Sequence, residues 1–142
     1  MTNVEWASLK HFRSTENWGD SSKMSFELLS RMDAWASFLG RPIIVTCGTQ
    51  GSHVGDSEHY DGLAADVIVP GLHVMDQWLS AVRFGFKALG MYPEWQYNNE
   101  RLGGLHLGNR ANSYMREWLG VQLNGSQTYI ALNAENLKKY VL

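Results

Sequence analysis

Apolar residues recur at helical spacing in two stretches of the chain. The first stretch lies between residues 24 and 39, follows cap formers at positions 20 to 22, and stops at Gly40. Its apolar positions are Leu28, Met32, Trp35, Ala36 and Leu39. The second stretch stops at Gly90, and its apolar positions are Met75, Trp78, Leu79, Val82, Phe86 and Leu89. The pattern predicts two amphipathic helices.

Short continuous apolar runs predict strands. One run from Ile43 to Cys47 directly follows the first helix, and a second from Ala64 to Val69 ends at a Pro-Gly pair. Strand-like pieces at residues 91–93 and 105–107 bracket a polar loop, and residues 128–132 suggest an edge strand before a terminal helix capped by Asn133. This order predicts one α+β domain over residues 1–142, with helices packed on a small, mainly antiparallel sheet.

The composition fits a single globular domain without a strong charge bias. Of 142 residues, 44% are hydrophobic and 18% are charged, and the formal net charge is -2 with Lys and Arg scattered along the chain. This balance argues against nucleic acid or an anionic membrane as a partner. Aromatic residues make up 12% of the chain, more than a minimal core needs, and rings exposed in a groove commonly contact peptide or sugar.

The sequence contains no recognisable targeting or membrane segment. The first residues lack the basic and apolar regions of a signal peptide, and no apolar stretch is long enough to cross a bilayer. We therefore expect cytoplasmic synthesis, no membrane insertion and a monomer. The single Cys47 excludes an internal disulfide, and its place at the end of an apolar run predicts a buried, inert thiol or one that lines a site.

The stretch from Ser57 to Asp66 places an imidazole and a carboxylate seven positions apart around a turn. His59 lies among turn formers that include Gly55 and Asp56, whereas Asp66 opens an apolar run. Burying an unpaired carboxylate is prohibitive, so Asp66 needs a cation, an Arg or Lys, or several backbone donors. A loop ligand and a strand ligand could therefore converge on one metal ion.

His106 is the candidate for a third metal ligand. Leu105 and Leu107 flank it, so in a strand its ring projects to the face opposite theirs. Catalytic zinc sites typically combine three protein ligands with one open position for water, whose pKa the ion lowers to about 7. The sequence thus predicts one zinc ion held by His59, Asp66 and His106. Each of the three also has an ordinary interpretation as a hydrogen-bonded structural residue.

A wider pattern around these residues resembles a known family. The spacing Ser57-x-His59-x-x-Gly62-x-Ala64-x-Asp66 resembles the signature of the zinc D-Ala-D-Ala carboxypeptidases and their relatives, the phage L-Ala-D-Glu endopeptidases (endolysins), which share a fold with the hedgehog signalling domain. Further similar segments at residues 39–45, 90–93 and 105–107 extend the resemblance over roughly residues 9 to 118. The resemblance implies a hedgehog-like fold, a zinc centre, and hydrolysis of an amide bond in peptidoglycan stem peptides.

The resemblance also implies catalytic groups, and here the chain departs from the family pattern. Many relatives carry an acidic base three positions before the last His ligand and an Asp two positions after it, where this chain has Gly103 and Gly108. Glu100 in the preceding loop is the preferred replacement for the base, with Glu94 as the alternative. Where relatives carry an Arg that stabilises the oxyanion, this chain has Gln50, a weaker hydrogen-bond donor.

Three further residues are assigned to the substrate side of the site. Arg110 could replace the missing Arg, although a surface charge is its ordinary interpretation. His53 lies in the Gly-rich loop before His59 and could bind substrate or the oxyanion; a loop histidine without a role is the alternative. Ser57 is interpreted as a turn residue or an outer support of the site rather than a nucleophile, because no His is free to act as its base.

These observations predict a zinc-dependent peptidoglycan peptidase, either an endopeptidase or a D,D-carboxypeptidase. It would be a phage or prophage lysin that acts at the cell wall, either after the protein is released from the cytoplasm or as part of a virion. A second hypothesis is a catalytically silent zinc protein that binds the cell wall or serves as a virion component, consistent with the departures above. A third is a metal-dependent nuclease built on His106 with Asn109 or Asn112, against which the lack of a basic surface argues.

Overall fold

The computed structural model of the protein describes residues 1–51, 53, 57–110 and 114–142; the predicted turn formers Gly55 and Asp56 lie outside this part. The described helices are α1 (Asn3–Ser8), α2 (Phe26–Leu39), α3 (Val74–Ala81) and α4 (Ala134–Tyr140). The strands are β1 (Ile44–Cys47), β2 (Ala64–Ile68), β3 (Ala88–Tyr92), β4 (Gly104–Gly108), β5 (Arg116–Leu123) and β6 (Ser126–Ile130). They form one sheet in the order β1-β2-β4-β3-β5-β6, antiparallel throughout except for the parallel pair β3 and β5. The predicted α+β class with a mainly antiparallel sheet is confirmed.

Helix α2 confirms the first predicted helix. The Ser25 hydroxyl accepts a hydrogen bond from the Leu28 backbone N–H at its start, and Gly40 ends it in the left-handed conformation with φ of 62°. The cap formers at positions 20 to 22 belong instead to a separate short 3-10 turn. Trp35 and its apolar neighbours on α2 are buried in the hydrophobic core.

The second predicted helix is shorter than the apolar spacing indicated. Helix α3 ends at Ala81, a 3-10 turn follows, and Gly85, with φ of 79°, turns the chain into strand β3. The prediction that Gly90 stops a helix is wrong, because Gly90 lies in the middle of β3. All five residues of β3 are buried, so its sequence lacks the alternation that distinguishes a strand from a buried helix.

The two faces of the sheet have different surroundings. Leu105 and Leu107 of β4 join Leu89 and Met91 of β3 in the core that also contains the buried residues of α2 and α3. His106 lies between the two leucines and projects from the opposite face, as the alternation along a strand predicts. Helices α2 and α3 therefore cover one face of the sheet, and the other face, here called the open face, carries His106.

The C-terminal hairpin completes the sheet. Strands β5 and β6 are antiparallel, β6 begins and ends two residues before the predicted edge strand, and the Asn133 side chain caps α4 as predicted. Strand β5 and helix α1 were not predicted. Because β5 pairs with β3, it brings Arg116 and Trp118 alongside the central strands. Within the described residues, none of the helices combines the length and apolarity needed to span a membrane.

Candidate metal centre

Two neighbouring strands place two of the predicted ligands side by side. Asp66 of β2 pairs directly with His106 of β4 in the antiparallel register. Paired residues on antiparallel strands project from the same face, so the two side chains meet, with His106 Nδ1 3.1 Å from Asp66 Oδ1. The His106 side chain is 9% exposed and that of Asp66 is 15% exposed. The sheet register therefore provides two of the three predicted ligands.

The third predicted ligand comes from the turn before β2. Residues Glu58–Asp61 form a 3-10 turn, in which the Ser57 hydroxyl accepts a hydrogen bond from the His59 backbone N–H. The His59 ring is buried, and its Nε2 lies 3.3 Å from the same Asp66 Oδ1 that contacts His106. Its other nitrogen, Nδ1, lies 2.8 Å from the Gly48 carbonyl oxygen. The turn thus directs one ring nitrogen of His59 at the Asp66 carboxylate.

The hydrogen-bond partners decide which nitrogen of each ring carries a proton. A carbonyl oxygen only accepts, so His59 donates from Nδ1 to Gly48 and directs Nε2 at Asp66. His106 Nε2 lies 2.9 Å from the Glu58 carboxylate, also an acceptor, so His106 directs Nδ1 at Asp66. If both rings were neutral, two nitrogen lone pairs would point at a carboxylate oxygen. Positive charge must therefore lie between these atoms, either as a proton on each ring or as a metal ion.

The spacing of these atoms fits a metal ion. Ligand atoms ~2.1 Å from a tetrahedral ion lie ~3.4 Å apart, and the two separations from Asp66 Oδ1 are 3.3 Å and 3.1 Å. Two imidazoles and one carboxylate are also a donor set that zinc accepts. The buried cluster of His59, Asp66 and His106 can therefore hold a divalent metal. We call these three residues the metal cluster.

Without a metal, carboxylates keep both imidazoles protonated near neutral pH. Burial lowers the pKa of His59 and of His106, but hydrogen bonds to carboxylates, chiefly that of Asp66, outweigh burial and raise each pKa to about 9. Burial also disfavours the charged form of Asp66, yet the two imidazoles lower its pKa to about 2. A metal that binds near neutral pH must therefore displace a proton from each ring.

The metal cluster borders a cleft with a volume of 590 Å³. Its lining combines the cluster and Glu58 with two arginines, Arg110 and Arg116, and with several aromatic rings. Those aromatic residues are Tyr92, Trp95, Trp118 and Tyr129. The Tyr92 and Trp95 rings stack with 4.2 Å between their centroids, and the Trp118 indole N–H donates to the Tyr92 hydroxyl at 2.9 Å. The cleft therefore offers aromatic and cationic surface beside the metal cluster.

A glycine lets the Trp118 ring reach the metal cluster. Gly90 of β3 lies between His106 of β4 and Trp118 of β5 in one row across the sheet. A Cβ atom at position 90 would overlap the Trp118 ring. Because Gly90 leaves that space open, the Trp118 ring lies 5.1 Å from the His106 ring, measured between centroids. The aromatic wall is thus continuous with the metal cluster.

The three residues assigned to the substrate side all line the cleft. His53 stacks on the His59 ring with 4.0 Å between ring centroids. Ser57 caps the turn that carries His59, and the Arg110 guanidinium lies 3.5 Å from the Asp61 carboxylate. The structure therefore brings these residues to the metal cluster, and their contacts with a substrate stay predictions.

Gln50, predicted to stabilise the oxyanion, is occupied elsewhere. Its Nε2 donates to the Asn17 carbonyl oxygen at 2.9 Å, and its Oε1 accepts from the Gly48 backbone N–H at 2.8 Å. These bonds tie the loop after β1 to the N-terminal segment. Gln50 is not among the described residues that line the cleft. Its side chain thus has a structural role, and its catalytic role stays a prediction that no described contact supports.

Glu100 and Glu94, the two candidates for the base, also lie outside the cleft lining. Glu100 is exposed in a turn that two backbone hydrogen bonds with Tyr97 close. Glu94 accepts a hydrogen bond from the Gln122 backbone N–H at 2.7 Å. Among the described lining residues, the only carboxylates are Asp66 and Glu58. The structure therefore does not bring the predicted base to the metal cluster.

The nuclease hypothesis finds no support in the position of Asn109. Asn109 is buried, and its side chain lies near the Glu27 carboxylate of α2, on the helix-covered face of the sheet. His106 projects from the open face, so the two side chains do not share a site. Asn112, the other residue of that hypothesis, lies outside the described residues.

Cys47 is half-buried beside the metal cluster. Its Sγ lies 3.5 Å from His53 Nε2 and 4.0 Å from His59 Nδ1, so these three residues form a second group of possible metal ligands. His59 can offer this group only the nitrogen that donates to Gly48. The metal cluster, in which both imidazoles present their free nitrogens, is therefore the better site.

Sequence reasoning missed Glu58, Arg116 and Trp118. Glu58 lies in the turn that carries His59, where an exposed carboxylate is the norm, yet its side chain is only 4% exposed. Arg116 and Trp118 lie on β5, which was not predicted. The alternating apolar residues Leu119, Val121 and Leu123 would have supported a strand there.

Comparisons with known proteins assign no family to this site. The sequence matches no protein-family model, and it has no significant match among curated proteins. What the site does must therefore be argued from its own geometry.

Proposed function

We propose that this protein is a zinc-dependent peptidase that hydrolyses an amide bond in the stem peptide of peptidoglycan, as a lysin of a phage or prophage. One observation carries the proposal: two imidazole nitrogens and one carboxylate oxygen converge beside an open cleft, at separations that suit a tetrahedral ion. Zinc bound by three protein ligands supplies Lewis acidity, which polarises a substrate carbonyl and favours water as a nucleophile.

The protein's own residues supply binding and orientation. Arg110 and Arg116 line the cleft, where their guanidinium groups would favour the carboxylates of a stem peptide. Trp118 and Tyr129 offer ring faces against which peptide or sugar can pack. The aromatic wall and the arginines together suit a substrate that combines anionic and apolar parts, as cell-wall fragments do.

The proposal extends to a hedgehog-like arrangement of the sheet. Two features support this extension: the ligands Asp66 and His106 stand on neighbouring antiparallel strands, and helices pack on the face opposite them.

A catalytically silent zinc protein that binds the cell wall is the second candidate. It is favoured by the absence of Glu100 and Gln50 from the described lining of the cleft. Glu58, the remaining carboxylate there besides Asp66, already contacts three hydrogen-bond donors. For Glu58 to act as the base of a peptidase, it would have to give up one of these hydrogen bonds or act through a water molecule.

Digestion of purified peptidoglycan distinguishes the two candidates. Peptidoglycan treated with the protein and then digested with a muramidase should yield muropeptides with newly cleaved stem peptides, identified by mass spectrometry, and the protein should lose this activity after chelation and regain it with zinc. His106→Ala should be inactive, whereas Glu100→Ala tests the sequence-based assignment of the base and should remain active if Glu100 stays in its exposed turn. A zinc-loaded wild type that binds peptidoglycan without cleaving it would reject the peptidase and favour the silent protein.

A further inference from the structure

Glu58 is a buried carboxylate outside the metal cluster, and three donors among the described residues contact its side chain. Its Oε1 lies 2.9 Å from His106 Nε2. Its Oε2 accepts from the Arg110 backbone N–H at 3.2 Å and from the Arg116 guanidinium at 3.1 Å. A buried carboxylate with this many donors needs an explanation.

The sheet leaves space for this carboxylate. Ala64, Gly108, Ala88 and Arg116 follow one another in a row across strands β2, β4, β3 and β5. The first three are small, and a Cβ atom at position 108 would overlap the Glu58 carboxylate. Arg116, at the end of the row, reaches Glu58 across these small residues. The glycine at 108 and the carboxylate of Glu58 therefore occupy one shared space.

We propose that Glu58 is a positioning residue for His106, held in place by Arg116 and the Arg110 backbone. A neutral imidazole carries one proton, and a carboxylate that accepts it at Nε2 leaves Nδ1 free to face the ion. Such outer carboxylates also fix the ring orientation and make the ring a better ligand. This inference rests on the proposed metal centre and does not depend on peptidase activity.

Zinc affinity provides the first test, measured by competition with a chromophoric chelator. Glu58→Ala should bind zinc 10- to 100-fold more weakly than wild type, as is typical for loss of such a partner. Glu58→Gln keeps a carbonyl oxygen that can accept a hydrogen bond from His106, but it places an amide N–H against Arg116. Its zinc affinity should therefore lie between those of wild type and Glu58→Ala. Glu117→Gln, an exposed carboxylate on β5, is the matched control and should bind as wild type does.

The shared space provides a second test. Gly108→Ala should weaken zinc binding because its methyl group displaces the Glu58 carboxylate. In the double variant Glu58→Ala with Gly108→Ala, the added methyl should cause no further loss, because the carboxylate is already gone. If the losses of zinc affinity in the two single variants simply add in the double variant, Gly108 and Glu58 do not share this space.

Ring-nitrogen NMR of His106 provides a readout that a purely structural role would not change. With zinc, the proton on His106 Nε2 should give a downfield-shifted, slowly exchanging signal in wild type, because Glu58 accepts its hydrogen bond, and Glu58→Ala should shift this signal upfield and speed its exchange with water. Circular dichroism and thermal melting identify variants that fail to fold; if Glu58→Ala does, the NMR comparison is made with Glu58→Gln.

The outcomes separate the inference from the proposed function. A folded Glu58→Ala that binds zinc within twofold of wild type, or an unchanged signal of the His106 Nε2 proton, overturns the positioning role. Failure of wild type to bind zinc overturns the metal centre and this inference together. Loss of peptidoglycan cleavage alone, with zinc affinities in the predicted order, would reject only the peptidase.

Discussion

Raising the pH from 6 to 9 should destabilise the metal-free protein and stabilise the zinc-bound protein. In the metal-free protein, the pKa of His59 and of His106 is raised from 6.5 to about 9, which stabilises the folded state. This contribution is complete below pH 6.5, where the unfolded chain also holds these protons, and is lost as the pH rises through 9. Asp66, with its pKa lowered to about 2, contributes above its ordinary value of 3.8 and stays ionised across this range.

The magnitude follows from the pKa values. One pKa unit corresponds to about 1.4 kcal/mol, so one imidazole that titrates at about 9 instead of 6.5 contributes about 3 kcal/mol. The second imidazole contributes a similar amount, but the two titrations are coupled, because protonated His106 lowers the pKa of His59. The free energy of unfolding of the metal-free protein should therefore fall by roughly 3 to 6 kcal/mol as the pH rises from 6 to above 9.

Zinc reverses this dependence because the metal binds the deprotonated rings. As the pH rises, fewer protons compete with the ion, so zinc binding and the stability it confers should increase. The metal-free curve should therefore fall as the pH rises toward 9, whereas the zinc-bound curve should rise until the unfolded chain has lost its own imidazole protons, just above pH 6.5, and should then level off.

Urea unfolding in the presence of a chelator, at half-unit steps of pH, measures the free energy of unfolding of the metal-free protein. A parallel series with excess zinc measures that of the zinc-bound protein. A variant with both His59→Gln and His106→Gln should lose most of the pH dependence in this range. His11→Gln, an exposed histidine that contacts Ser37, serves as the matched control and should keep it. A metal-free stability that is flat or rises between pH 6 and pH 9 would refute the reasoning.

Three further predictions test the cleft and the metal. Gly90→Ala should displace the Trp118 ring, shift the tryptophan fluorescence and cost about 1 to 3 kcal/mol of stability; an unchanged spectrum would show that the ring does not lie there. Tyr129→Ala, at a ring that is 57% exposed, should raise KM for cell-wall substrate with little change in melting temperature, and an unchanged KM would remove this ring from the substrate site. Zinc at 100 times its Kd should stabilise the protein by about 2.7 kcal/mol and make the melting temperature depend on zinc concentration; a melting temperature insensitive to zinc would contradict the metal centre.

Much of the metal cluster could be predicted from local sequence. The alternation of Leu105, His106 and Leu107 predicts which face of a strand the imidazole occupies, and the structure agrees. The turn formers around His59 predict a loop ligand, and a short 3-10 turn carries it. These are properties of neighbouring residues, which the pattern of side chains records directly.

The lengths of buried elements were harder to predict. The apolar spacing that begins in α3 continues through Phe86 and Leu89, although the chain turns at Gly85 and enters a strand. A strand buried on both faces needs apolar residues at every position, and such a run contains helical spacing by necessity. Only its neighbours in the sheet, β4 and β5, decide that the segment is extended.

The sequence by itself determined the types and the order of the candidate metal ligands, because a buried Asp needs a positively charged partner and two His residues lie where they can share it. Only the tertiary structure decided their support and their surroundings. Glu58 contacts His106 across 48 positions and Arg116 across 58 positions of the chain, whereas Glu100, nearer to His106 in sequence, remains in an exposed turn. Sheet register sets these contacts, and register depends on pairing between distant segments, which local residue patterns do not specify.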